Sequence, residues 1–164
     1  MDLDKITVRK IVEESGLSQQ TFYNYYKNKE DLVFSVHKVY GQSLIDRLNE
    51  DKDYDLNNLL IDNIKFYQEH KQFMLNALKH TKGDNSYFHL SAENAYESLK
   101  EYLLKKNNLK RLDKEIDFQL KMYTYASTMM YAYWAEKMPD TGNDEFAEFL
   151  KNAMPEKLRN LMNS

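Results

Sequence analysis

The chain contains no cysteine, which removes disulfides, thiolate metal ligands and a cysteine nucleophile together. Helix breakers are nearly as scarce, with four glycines and two prolines in 164 residues. With Leu, Lys, Glu, Asn and Tyr abundant, this composition predicts an all-α protein. No run approaches the roughly eighteen uninterrupted apolar residues of a membrane span. The acidic N-terminus has no apolar signal region. The sequence therefore predicts a soluble, cytoplasmic protein with no membrane partner. An excess of either charge is also missing: the net charge of −3 steers the whole chain toward no anionic partner.

The usual signatures of catalysis are missing as well. There is no glycine-rich phosphate loop and no serine in a Gly-x-Ser-x-Gly elbow. His37, His70, His80 and His89 are scattered, and no two stand four apart on a helix beside a carboxylate, so no metal site and no cofactor are predicted. Acidic pairs such as Glu13 and Glu14 read as solvated faces. An all-helical enzyme needs a cavity holding a perturbed ionisable cluster, and nothing in the sequence predicts one.

What is present is concentrated in residues 6–38. Thr7 precedes an apolar row at Val8, Ile11 and Val12, the i, i+3, i+4 spacing of one helix face, which predicts a helix over 8–15 with Thr7 as its cap. Gly16 suits the left-handed residue that closes a helix, and Leu17 is expected to fold back onto the apolar row. Ser18 then caps a second helix, 19–25 or 19–26, with Phe22 and Tyr26 facing inward. Gln19, Gln20, Thr21, Tyr23, Asn24 and Tyr25 remain on its other faces, all able to hydrogen-bond. This is the profile of a helix-turn-helix whose second helix enters a major groove, although a short αα-hairpin with a glycine produces the same pattern alone.

The run Thr7-Val8-Arg9, Gly16-Leu17-Ser18, Thr21-Phe22-Tyr23-Asn24-Tyr25-Tyr26 and Lys29-Glu30-Asp31-Leu32 resembles the DNA-binding signature of the TetR/AcrR family of transcriptional regulators. Its Thr-Phe-Tyr-Asn variant is most similar to the subgroup that includes dihydroxyacetone kinase regulators. The resemblance implies that Ser18, Gln19, Gln20 and Thr21 meet bases and adjacent phosphates. It implies that Tyr23 and Asn24, flanked by Tyr25, hold the phosphate backbone, and that Lys29 reaches a further phosphate. Thr7 and Arg9 match the start of the supporting helix, which lies across the backbone. Phe22, Tyr26, Leu17, Ile11 and Leu32 are expected to form the small core beneath. The family places a helix ahead of this motif, and here only Met1 to Lys5 precede it, so a DNA-binding domain without its first helix is expected. Over residues 1–38, Lys5, Arg9, Lys10, Lys27, Lys29 and Lys38 balance Asp2, Asp4, Glu13, Glu14, Glu30 and Asp31. Any DNA signal therefore lies in local placement and not in bulk charge.

Asn28 caps a third helix of about twenty residues with Glu30 and Asp31 in its first turn. Gly41 in its middle reads either as close packing or as a hinge. Glu50 to Asp55 is the expected boundary, dividing a DNA-binding domain and connecting helix (1–50) from an effector-binding and dimerisation domain (51–164). In the body, Asp55 caps a helix through Tyr67, and a shorter helix over 71–80 is ended by Gly83. A long helix through Leu103 begins near Asp84 to Ser86. Ile116, Leu120, Tyr123, Ser127, Met130, Tyr131 and Trp134 form one stripe, and Phe146, Phe149, Leu150 and Ala153 the next. Pro155 suits the first turn of a renewed helix. These closing helices (about 115–162) are similar to the end of the same family, which implies a homodimer through them. The load of Tyr, Met and Trp between Tyr67 and Trp134 reads as core plus subunit interface, or as the lining of a small-molecule effector pocket whose residues the sequence does not name.

The fold class expected is all-α, an N-terminal helix-turn-helix module plus a C-terminal helical bundle that dimerises. The expected function is a non-enzymatic regulator whose partners are a double-stranded palindromic operator, a second copy and a possible effector. The alternative is a helical ligand-sensing or protein-interaction dimer that does not bind DNA.

Overall fold

The computed structural model describes residues 3–163; Met1 and Ser164, the outer ends of the two expected domains, and the Asp2 of the N-terminal charge balance lie outside them. Among the described residues the secondary structure is entirely helical, as the composition predicts. The α-helices are α1 (Val8–Ser15), α2 (Gln19–Tyr25), α3 (Lys29–Glu50), α4 (Leu56–Glu69), α5 (Lys71–His80), α6 (Tyr87–Lys106), α7 (Lys114–Lys137), α8 (Asn143–Ala153) and α9 (Glu156–Asn163). Short 3-10 turns occupy Leu3–Lys5 and Gly83–Asn85.

Most helix starts follow from a side-chain cap. Thr7, Ser18, Asn28, Asp55, Ser86 and Asp113 each accept a backbone N–H of the turn they open, and Asp55 closes a reciprocal capping box with Asn58. Each satisfies one of the donors a helix start leaves unpaired.

The body wraps around α3 and α6. Helix α3 lies along α6 and reaches α4; α6 lies along α7; α8 packs on α4, and α9 closes against α7. Ile64, Leu103 and Leu158 are wholly buried where these helices meet, and Tyr67 stacks on Tyr131 at 4.9 Å. Helix α3 is tied to α4 through Asp62, which pairs with Arg47 at 2.6 Å, while Tyr40 Oη donates to its carbonyl oxygen at 2.8 Å. Arg47 also lies 3.9 Å above the Tyr54 ring. This tie fixes the helix that follows α2 to the body.

Several expectations are corrected. Leu17 is 55% exposed instead of folded onto the apolar row. Its N–H bonds Val12 O at 3.1 Å, and the turn that seats it there leaves the side chain on the solvent side. Gly83 does not end α5, which stops at His80 with extended Thr81 as its cap; Gly83, at φ +71°, opens the next 3-10 turn. In α8 it is Ala147 that joins Phe146 and Leu150 in the core, while Phe149 and Ala153 are exposed. Met130 on α7 is likewise exposed. Pro155 opens α9 as the sequence suggests, its carbonyl accepting Arg159 N at 2.9 Å to close the first turn of that helix.

Candidate nucleic-acid interface

The turn between α1 and α2 is set by Gly16, whose φ of +71° belongs to the left-handed region that a side chain disfavours. Two residues later Ser18 reverses the backbone to extended and starts α2, its Oγ accepting Thr21 N at 3.0 Å. Phe22 is the buried anchor on the inner side, with Tyr26 and Tyr23 packed against its ring at 5.5 and 5.3 Å. Val12 provides the buried contribution of α1.

With Phe22 turned inward, Ser18, Gln19, Gln20, Tyr23, Asn24 and Tyr25 are exposed and Thr21 is half-buried. Tyr23 is 56% and Tyr25 76% exposed, values that core aromatics do not show. Ser18 Oγ and Thr21 Oγ1 lie 2.9 Å apart and share one hydroxyl hydrogen. The second hydroxyl hydrogen of the pair is thus left to donate outward. The surface combines two amides from glutamine, one from asparagine, a hydroxyl donor and two phenols. Such groups hold phosphate oxygens and read base edges.

At the start of α1, Thr7 is exposed and its hydroxyl accepts Lys10 N at 3.2 Å, so it caps the helix and keeps a donor free. Arg9 is exposed and meets Glu13 at 3.4 Å, a surface pair weak enough for a phosphate to displace. Thr7 and Arg9 lie on α1 and its cap, and the other exposed groups on α2 and its cap. Lys29 is placed differently. Its Nζ donates to Leu3 O at 2.8 Å, Ile6 O at 3.0 Å and Asp4 O at 3.3 Å. It therefore grips the 3-10 turn that opens the chain. Leu3 is buried, its N–H donates to Asn76 Oδ1 on α5 at 3.1 Å, and Asp4 meets His80 at 3.3 Å. Lys29→Met removes a charge-assisted clamp and is expected to lower unfolding stability by about 1–3 kcal/mol, with faster amide exchange at Leu3 and Ile6 as the local readout.

The body contributes a cavity of about 80 Å³ that the sequence did not locate. Helix α3 lines it with His37, Gly41, Leu44 and Ile45, opposite residues of α4, α6 and α7. The available signal was polar residues on inward faces, such as Asn63, Asn94, Ser98 and Thr124. Their periodicity alone resembles ordinary helix-surface polarity. His37 is buried, and burial lowers its pKa from 6.5 to about 4, so it is neutral near pH 7; its Nδ1 lies 3.0 Å from Tyr87 Oη.

Helix α7 also carries an apolar row on its outer side. Phe118, Met122, Met129 and Tyr133 are between 48% and 68% exposed, and Ala126 lies between them. Their spacing of four, four, three and four residues keeps them on one helix face. Among the described residues no group of three or more His, Asp or Glu side chains is placed to hold a metal ion. No described helix is long and apolar enough to cross a membrane.

The match to a known family falls on the α1–α2 stretch. Residues 2–36 match the family model described as bacterial regulatory proteins, tetR family. A curated relative, the fatty acid metabolism regulator protein of Bacillus subtilis (strain 168), is 41% identical over 44 residues, which is 27% of this chain. The matched segment spans 23% of that relative's length. No solved structure matches the chain. The segment that carries the exposed polar face, residues 2–36, is thus the part of this chain that is similar to bacterial regulatory proteins of the tetR family.

Proposed function

We propose that this protein is a cytoplasmic, non-enzymatic transcriptional regulator that binds operator DNA through the face formed by Ser18, Gln19, Gln20, Thr21, Tyr23, Asn24 and Tyr25. Thr7 and Arg9 hold the flanking backbone. The observation that carries this reading is a polar and aromatic face held outward by the buried Phe22, on a chain whose family match covers that segment. Lys29 serves this face indirectly, by fixing the start of the chain against the head of α3. The division into a reading module over 1–50 and a body over 51–164 is part of the same proposal.

Two copies would read a palindrome, with half-sites separated by roughly 34–36 Å. The apolar row of α7 supports pairing of two bodies through the closing helices, because water is a poor neighbour for four large side chains in line. Met122→Lys combined with Met129→Lys is expected to convert a dimer into a monomer, read by sedimentation. A body that remains dimeric would assign the row another role.

The body is also the proposed effector domain. The cavity reaches α3, which only three residues separate from α2, so a ligand that repositions α3 biases the separation of two reading heads. The test is a mobility-shift titration of the intact chain on the DNA flanking its own coding sequence. Salt-sensitive, sequence-selective binding that Tyr23→Ala weakens about tenfold or more is expected. Selective binding unaffected by Tyr23→Ala would reject this face.

A further inference from the structure

The chemistry of the body cavity restricts what it accepts. Its walls combine aliphatic surface from Leu44, Ile45, Leu59, Leu60 and Leu99 with amides from Asn63 and Asn94 and hydroxyls from Ser98, Ser127 and Thr128. No Lys, Arg, Asp or Glu lines it. An ion inside would lose its water without meeting a counter-charge, a cost of several powers of ten in affinity. His37 does not supply the missing cation, because burial keeps its imidazole neutral.

The hydroxyls also specify direction. Ser127 Oγ donates to Tyr123 O at 2.7 Å, Thr128 Oγ1 to Thr124 O at 2.8 Å, and Thr124 Oγ1 to Lys121 O at 3.0 Å. Tyr123 Oη donates to Leu150 O at 3.0 Å. With their hydrogens committed to backbone carbonyls, these four hydroxyls on α7 meet a ligand as acceptors, which favours a ligand that brings O–H or N–H donors to that wall. The volume of about 80 Å³ is smaller than that of an engineered apolar cavity of about 150 Å³ that holds benzene. A compact ligand fits and an extended chain does not.

We infer that this cavity, whose role as effector site rests on the function proposed above, takes a compact uncharged hydrogen-bond donor of about four to six heavy atoms, in the class of short diols and primary amides. Gly41 is the place to test it. A Cβ there would meet its nearest neighbour, Asn94 Nδ2, at an ordinary 3.7 Å, so a larger side chain can enter the cavity without clashing at its base.

The experiment titrates the intact chain with butyramide and butane-1,3-diol against butyrate and butylammonium, which have similar size but carry charge, following backbone amide resonances. The neutral probes are expected to shift Gly41 and Asn94 resonances at millimolar concentration, with the charged probes weaker by about tenfold or more. Gly41→Leu should lose the response while keeping the helical circular dichroism of the parent. If that variant fails to fold, Ser98→Leu fills the opposite wall on α6 and should do the same. Equal or tighter binding of either ion, or no shift from either neutral probe, overturns the ligand class. Neutral probes that bind without changing operator affinity leave the ligand class standing and reject the effector role. An ion that binds as tightly as the neutral probes or more tightly, and changes operator affinity, does the reverse.

Discussion

Trp134→Ala is expected to cost about 3–5 kcal/mol of unfolding free energy, enough to threaten the fold of a domain this size. Trp134 is buried near the end of α7, its ring parallel to that of Phe146 on α8 at 5.0 Å. Its Nε1 donates to Thr141 O at 2.9 Å, in the turn that joins the two helices. The alanine variant therefore empties a large volume and leaves a carbonyl without its donor. Trp134→Phe keeps most of the stacking surface and loses the donor, so a smaller cost of about 1–2 kcal/mol is expected. Urea unfolding followed by circular dichroism distinguishes the two. Equal losses would mean that the stack with Phe146 contributes little.

The second large effect is with pH. Burial lowers the His37 pKa from 6.5 to about 4, so between these values the unfolded chain carries a proton there that the folded chain does not. Protons bound preferentially by the unfolded state make stability fall as pH falls. The contribution of His37 is constant above about pH 6.5, then worsens by up to about 1.4 kcal/mol per pH unit, reaching about 3 kcal/mol near pH 4. His37→Gln removes the titration while keeping a polar partner for Tyr87 Oη, which lies 3.0 Å from His37 Nδ1. Its stability should therefore fall less steeply between pH 6.5 and 4 than that of the parent, measured by urea midpoints across the range. Parallel slopes would show that His37 protonates in place.

What was legible from the sequence is what local chemistry decides. Thr7, Ser18, Asn28 and Asp55 marked the helix starts because a short oxygen side chain followed by a helical period satisfies backbone donors within three residues. The all-α class followed from the shortage of breakers. Periodicity also identified Phe22 as inward and Tyr23 as outward, because four residues of spacing fix a helix face.

What was not legible depends on partners distant in sequence. The stripe through Phe146 and Phe149 identified a side of α8, but only the placement of α4 and α7 shows that Ala147 is covered and Phe149 is not. Nothing in the sequence around Lys29 discloses that three carbonyls from Leu3, Asp4 and Ile6 converge on its ammonium. The cavity is assembled from four helices, so no single window of residues contains it.

The most direct test of the proposed role is hydroxyl-radical footprinting of the intact chain on the DNA beside its own coding sequence, with Tyr23→Ala and Gln20→Ala in parallel. Two protected patches on one side of the duplex, separated by about 10–10.5 base pairs or a multiple and lost in both variants, are expected. Protection that survives both substitutions, or no protection at an ionic strength where nonspecific binding is still detectable, would contradict the assignment of the face around Ser18 and Tyr23 to DNA.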